Sequence, residues 1–198
     1  MHYPAFFDTI ESIRLVDPLA AFLGVFEDGI YQMSYLDVVK AAGHSCPTLA
    51  GAYLMSRESL KILYPGEPAR RGEITVSFSE NCTSGVTGVL AQVISNITGA
   101  TKDWGFKGLS GRFARTGLMD FEIPFPETGD ILFGRSDTGQ KVLVHYSPGS
   151  VVQAAPLLKR FLTSSGEEEA ARNFGKEWQS MVEEIFREYS KVLKITCL

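Results

Sequence analysis

The sequence predicts an α+β protein in which helices pack on a mainly antiparallel sheet, with a helical extension at the C-terminus. Three observations predict it. Apolar residues recur at helical spacing through much of the first hundred positions. Short stretches of alternating or apolar residues, separated by turn signals, run from residue 112 to residue 146. Helices therefore gather on one side of the chain and strands on the other, without the regular strand–helix alternation of a parallel sheet. At 198 residues the chain is long enough for one domain, or for a core with an appendage. The expected division is a core over 1–150 and a helical extension over 151–198.

At the start of the chain, Phe6, Phe7, Ile10 and Ile13 have helical spacing and predict a helix from Pro4 to Ile13. Ile13 to Val16 can form a short strand. Asp17-Pro18 is a cap followed by a first helical residue, opening a short helix through Phe22 that stops at Gly24. Glu27-Asp28-Gly29 is a turn, and Ile30 to Met33 a brief strand. Ser34 with Asp37 three residues on has the form of a capping box, so a helix is expected from Tyr35 to Ala42, ended by Gly43. Pro47 opens the next helix, which runs to about Leu63. Its start is rich in small residues (Ala50, Gly51, Ala52), which predicts a close approach by another backbone. Glu73 to Ser79 alternates like a half-buried strand. Val86, Val89, Leu90, Val93 and Ile94 then mark a helix closed by Gly99.

Five glycines between 99 and 118 predict loop or bulged strand, with no dinucleotide or P-loop fingerprint. Strands are expected at Arg112–Ala114, Met119–Ile123, Ile131–Phe133 and Lys141–Tyr146, the last two joined by a turn at Asp137-Thr138-Gly139. Val151 to Leu162 reads as an apolar helix. Ser164 to Glu169 places acids at the start of a long final helix, where they complement its dipole. That helix is expected to reach about Lys191, with Phe174, Trp178, Met181, Ile185 and Tyr189 as its apolar stripe.

Composition narrows the function. With 44% hydrophobic and 21% charged residues, the chain has the profile of an ordinary globular protein. A net charge of −4 disfavours general nucleic-acid binding, which needs a basic face. No apolar run approaches the roughly 20 residues of a membrane span. No basic segment followed by an apolar run opens the chain, so the cytoplasm is the expected location. Three cysteines suit reduced thiols better than a disulfide framework.

The chemistry concentrates at Gly43-His44-Ser45-Cys46-Pro47. Pro47 suits the first helical position, which puts Cys46 at the N-cap, beside unpaired backbone N–H groups that favour thiolate. His44 can turn into the same space. Cys82 lies in a polar turn between a strand and a helix, a second niche of that kind. Two thiolates and an imidazole are ligands for zinc or another transition metal, and three protein ligands with one open position is the open pattern. His44, Cys46 and Cys82 are therefore the candidate metal ligands, with His145 as a fourth to consider. Glu80 and Asn81 are either partners of those ligands or plain turn residues. Tyr53 reads as core. Lys102, Asp103 and Lys107 read as a solvated loop with some capacity to bind an anion.

Gly43-His44-Ser45-Cys46-Pro47-x-Leu49-Ala50-x-x-Tyr53 resembles the G-H-x-C-P-G-L-x-x-G-Y opening of the FmdE-like family of formylmethanofuran dehydrogenase subunits. Glu80-Asn81-Cys82 is similar to that family's E-N-x-C, one residue shorter, and Thr98-Gly99-Ala100-Thr101 to its T-G-C-T. The resemblance spans about residues 30–150. Thr48, Gly85 and Ala100 stand where the family has glycine, aspartate and cysteine. The resemblance implies an α+β core, often an intertwined homodimer, with zinc or another metal at the His and Cys positions. It implies a molybdenum or tungsten enzyme of one-carbon metabolism as partner. Some members carry a further C-terminal zinc finger, in whose place this chain has a helical tail.

The expected function is thus a metal-binding accessory, carrier or sensor protein. The rivals are a metal- or thiol-dependent enzyme on a small molecule, thiol redox chemistry between Cys46 and Cys82, and an interaction module using the last helix.

Overall fold

The first sheet grows from strand signals that are short but sharply bounded. In the computed structural model, which describes residues 2–125, 129–163 and 168–198, strand β1 (Ile13–Val16) pairs antiparallel with β2 (Ile30–Met33) and parallel with β3 (Ala69–Arg70). Asp17 ends β1 and caps α1 (Pro18–Phe22), its carboxylate accepting the N–H groups of Leu19 at 2.9 Å and Ala20 at 3.4 Å. The helix expected before β1 is only a 3-10 turn at Ala5–Thr9. Ile10 is already extended, because the chain must straighten into β1 while Phe7 and Ile10 stay buried.

Helix α2 (Tyr35–Ala42) has the reciprocal cap its sequence implies. The Ser34 hydroxyl accepts the Asp37 N–H, and the Asp37 carboxylate accepts the Ser34 N–H. Gly43 takes the left-handed conformation at φ 78° that closes this helix and swings the chain toward the next one. Helix α3 (Pro47–Leu63) is the spine of the molecule. Residues 49–57 are buried without a break, so no face of this stretch meets solvent. It is packed by α2, by α4 (Thr87–Thr98) and by the second sheet.

That sheet has the order β5 (Met119–Asp120), β4 (Ile74–Phe78), β6 (Ile131–Arg135), β7 (Lys141–Tyr146), β8 (Leu193–Cys197). Only β4 and β5 are parallel; the other three pairings are antiparallel. The fold is α+β as the sequence predicts, and the sheets are mixed. Arg112–Ala114 forms no strand. An isolated bridge joins Leu109 and Arg112, and the loop folds on itself with the Arg115 N–H donating to the Phe106 carbonyl at 2.8 Å.

The predicted boundary at residue 150 falls in a 3-10 turn at Pro148–Ser150. Beyond it come α5 (Ala154–Leu162), α6 (Glu168–Arg187) and α7 (Tyr189–Val192), then β8. The expected single helix to Lys191 is interrupted at Glu188, whose non-helical ψ of 30° redirects the chain. Val182, Ile185 and Val192 are then buried in the same core as α3, and Cys197 sits on an edge strand opposite Val142. The acidic cap expected over 164–169 lies outside the described residues or side chains. Among the described residues no helix is long and apolar enough to cross a membrane.

Candidate functional site

A cavity of about 280 Å³ lies where α3 and α4 begin, against the ends of β4, β6 and β7. Phe78, Leu90 and Ile131 supply much of its apolar wall, with Thr48, Glu80 and Asp130 as polar groups. Tyr146 closes one side. Its ring lies over Gly51 of α3, and its hydroxyl donates to the Pro47 carbonyl at 2.8 Å. The small residues at the start of α3 thus admit an aromatic ring rather than a second backbone.

Asp130 ties the strand ends to this wall. One of its oxygens accepts the Tyr146 N–H at 2.7 Å, and the other pairs with His145 Nδ1 at 3.1 Å. His145 alternates with Tyr146 along β7, so it stands on the opposite face of the sheet from the ring that lines the cavity.

Cys46 is the N-cap of α3, in an extended conformation and half-buried. It lies close enough to the Tyr35 and Tyr146 hydroxyls to influence both. Burial pushes the pKa of each of these phenols above its ordinary value, and the nearby Cys46 adds to the rise. His44 is exposed, and its Nδ1 lies 3.1 Å from the Ala42 carbonyl, a hydrogen bond that places a proton on Nδ1 and does not engage Nε2. Ser45, between them, is buried. Its hydroxyl meets the Tyr35 hydroxyl at 2.9 Å, and its carbonyl accepts from Trp178 Nε1 at 2.9 Å and Gln179 Nε2 at 3.3 Å.

Cys82 is exposed, its thiol 3.7 Å from Asn81 Oδ1. Asn81 is a turn residue: the same oxygen accepts from the backbone N–H and hydroxyl of Thr83. The turn carries Cys82 against the first turn of α4, where a side chain at Gly88 would meet the Cys82 carbonyl at 2.8 Å. The segments bearing Cys46 and Cys82 therefore both lead into helices that border the cavity.

The donor types suit zinc. As arranged, however, no three His, Cys, Asp or Glu side chains among the described residues stand in a group that could hold a metal ion. On the glycine loop, Lys102 Nζ pairs with Asp120 at 3.6 Å and sits 5.9 Å from the Phe121 ring centroid. Tyr53 is a core residue whose hydroxyl donates to the Glu11 and Met33 carbonyls.

Reading by motif missed Tyr146, Asp130, Trp178 and Gln179. Tyr146 carried a signal, since it shares a strand face with Val142 and Val144 and could be expected to face the core. Trp178 carried one too, as a member of the apolar stripe of the last helix, whereas Asp130 and Gln179 carried none. No protein-family model matches this sequence, and no curated protein matches it.

Proposed function

We propose that this chain is a ligand-binding accessory protein of the FmdE type, holding a small, mainly apolar molecule in the cavity between α3 and α4. The observation that carries this is the cavity itself, with an apolar wall and a few convergent polar groups at paired helix starts. Thr48 and the first N–H groups of α3 and α4 would meet hydrogen-bond acceptors on the ligand, and Glu80 and Asp130 would meet donors. A panel of monocyclic aromatic alcohols and amines, screened by ligand-observed NMR, is expected to yield binders. Leu90→Trp, which fills the cavity from a half-exposed position on α4, is expected to abolish that binding with the fold intact. Undiminished binding in this variant, or no binder in the parent, defeats the proposal.

A second reading keeps the metal. His44 and Cys46 share one turn, His44 Nε2 is unengaged by the hydrogen bond at Nδ1, and Cys82 is exposed on the neighbouring turn. A shift of the exposed 82–86 turn toward Cys46 would give zinc, or another transition metal, these three residues as ligands. Metal analysis of gently purified protein is expected to find close to one equivalent per chain, lost in Cys46→Ser. Less than about a tenth of an equivalent removes this reading.

The resemblance also implies a homodimer and a molybdenum or tungsten oxidoreductase partner. Support for self-association comes from exposed apolar side chains at Phe22, Leu23, Val25 and Phe26, joined to the glycine loop through the Phe22–Phe113 ring contact at 5.3 Å. Sedimentation is expected to give a dimer, and Leu23→Glu with Val25→Glu a monomer. A monomeric parent at micromolar concentration ends this part of the proposal.

A further inference from the structure

Three side chains grip one residue of the thiol turn. Tyr35 holds the Ser45 hydroxyl, while Trp178 and Gln179, neighbours on α6, both donate to the Ser45 carbonyl. Helix α6 is itself firmly seated below these donors. Val182 and Ile185 are fully buried, and Phe186 packs edge-on against Tyr35 with ring centroids 4.7 Å apart. Gln179 Oε1 is buried with no hydrogen-bond partner, so this side chain leaves one polar atom unpaired to place its amide on Ser45.

The consequence is geometric. The Ser45 carbonyl belongs to the same planar peptide as the Cys46 N–H. Two donors on that oxygen hold the plane, and the plane sets the direction in which the Cys46 side chain leaves the backbone. Pro47 holds the other side of Cys46, because its ring restricts the residue before it to extended conformations, as observed at φ −153° and ψ 169°. The thiol is thereby constrained from both neighbours, and one constraint comes from a helix 133 positions away in sequence.

We propose that Trp178 and Gln179 are positioning residues for the Cys46 thiol, so that α6 sets the aim and accessibility of that thiol through the Ser45 carbonyl. The proposal rests on the ligand-binding reading only in taking Cys46 to border the working site. Trp178 is then also a built-in reporter of the site. Its indole is hydrogen-bonded to the carbonyl of the residue that precedes Cys46, so its emission responds to a displacement of that peptide.

The test uses the full chain with Cys82→Ser, Cys197→Ser and Trp104→Phe, leaving one thiol and one indole. Iodoacetamide is the probe. Trp178→Phe with Gln179→Met keeps the apolar bulk and removes both donors, and is expected to raise the Cys46 alkylation rate about tenfold by freeing the turn to open. Gln179→Met alone is expected to raise it about threefold, and this variant carries the test if the double variant does not fold. Ile13→Val, a mild core change in β1, is expected to leave the rate unchanged. In the parent background, alkylating Cys46 is expected to shift the emission of Trp178, whose indole is bonded to the neighbouring Ser45 carbonyl.

Alkylation rates within about twofold of the parent in the donor variants overturn the proposal. So does an emission spectrum indifferent to alkylation. Ligand binding enters neither readout. A cavity that binds nothing leaves the clamp testable, and a thiol indifferent to α6 leaves the cavity reading where it stands.

Discussion

Asp17→Ala is expected to cost this protein about 3–5 kcal/mol, and about 10–15 °C in melting temperature. The Asp17 carboxylate faces two arginines. Arg115 Nη2 donates to it at 2.6 Å, and Arg71 Nε lies at 3.4 Å, within ion-pair distance but without hydrogen-bond geometry. Both Asp17 and Arg115 are buried, and burial lowers the Arg115 pKa while the Asp17 charge pulls it back up. Removing the carboxylate leaves the Arg115 guanidinium buried without its ion-pair partner, and leaves the α1 N–H groups uncapped.

The order of the variants is more telling than any single cost. Asp17→Asn keeps a capping oxygen and loses the charge, so it should fall between parent and Asp17→Ala. Arg115→Met removes the buried charge together with its need for a partner. The double variant Asp17→Ala with Arg115→Met should therefore cost clearly less than the two single costs added. Thermal unfolding followed by circular dichroism measures the parent and all four variants. A melting point for Asp17→Ala within about 3 °C of the parent would show that the pair contributes little.

The second large effect is expected at Gly51. Replacing an interior helical glycine by alanine ordinarily stabilises by about 1 kcal/mol. Here a Cβ would stand 2.3 Å from Tyr146 Cε1 and 2.6 Å from two further ring atoms, so the ring must leave. Its departure breaks the hydroxyl's bond to the Pro47 carbonyl and removes one wall of the cavity. The expected net cost of Gly51→Ala is about 2–3 kcal/mol, with loss of fragment binding.

The same substitution should reverse sign when the ring is absent. In a Tyr146→Ala background the clash is gone, and Gly51→Ala should stabilise by about 1 kcal/mol. Chemical denaturation of the two pairs gives both differences. If Gly51→Ala destabilises equally in both backgrounds, the close approach of Tyr146 is not what the glycine is for.

Most element boundaries were legible because the groups that set them lie within a few residues of one another. Ser34 and Asp37 write the start of α2, Asp17-Pro18 the start of α1, and Cys46-Pro47 the start of α3. Where tertiary packing outweighed local pattern, the expectation failed. The apolar spacing over Pro4–Ile13 suits a helix, but Ile13 is needed in β1 opposite Met33. The stripe through Tyr189 suits one long helix, but the chain breaks at Glu188 so that Leu193–Cys197 can pair with β7.

The candidate site divides the same way. That Cys46 would stand at a helix start follows from its own neighbours, because Pro47 suits the first helical position and holds the residue before it extended. Which atoms that thiol would meet does not follow. Asp17 reaches Arg115 across 98 positions, Tyr146 reaches Pro47 across 99, and Trp178 reaches Ser45 across 133. The chain alone determined where α1, α2 and α3 begin, since their caps and first-turn prolines are satisfied locally. Only the folded molecule decided which side chains share a wall, since burying α3 on every side forces distant segments to supply its neighbours, and nothing in local spacing specifies which they will be.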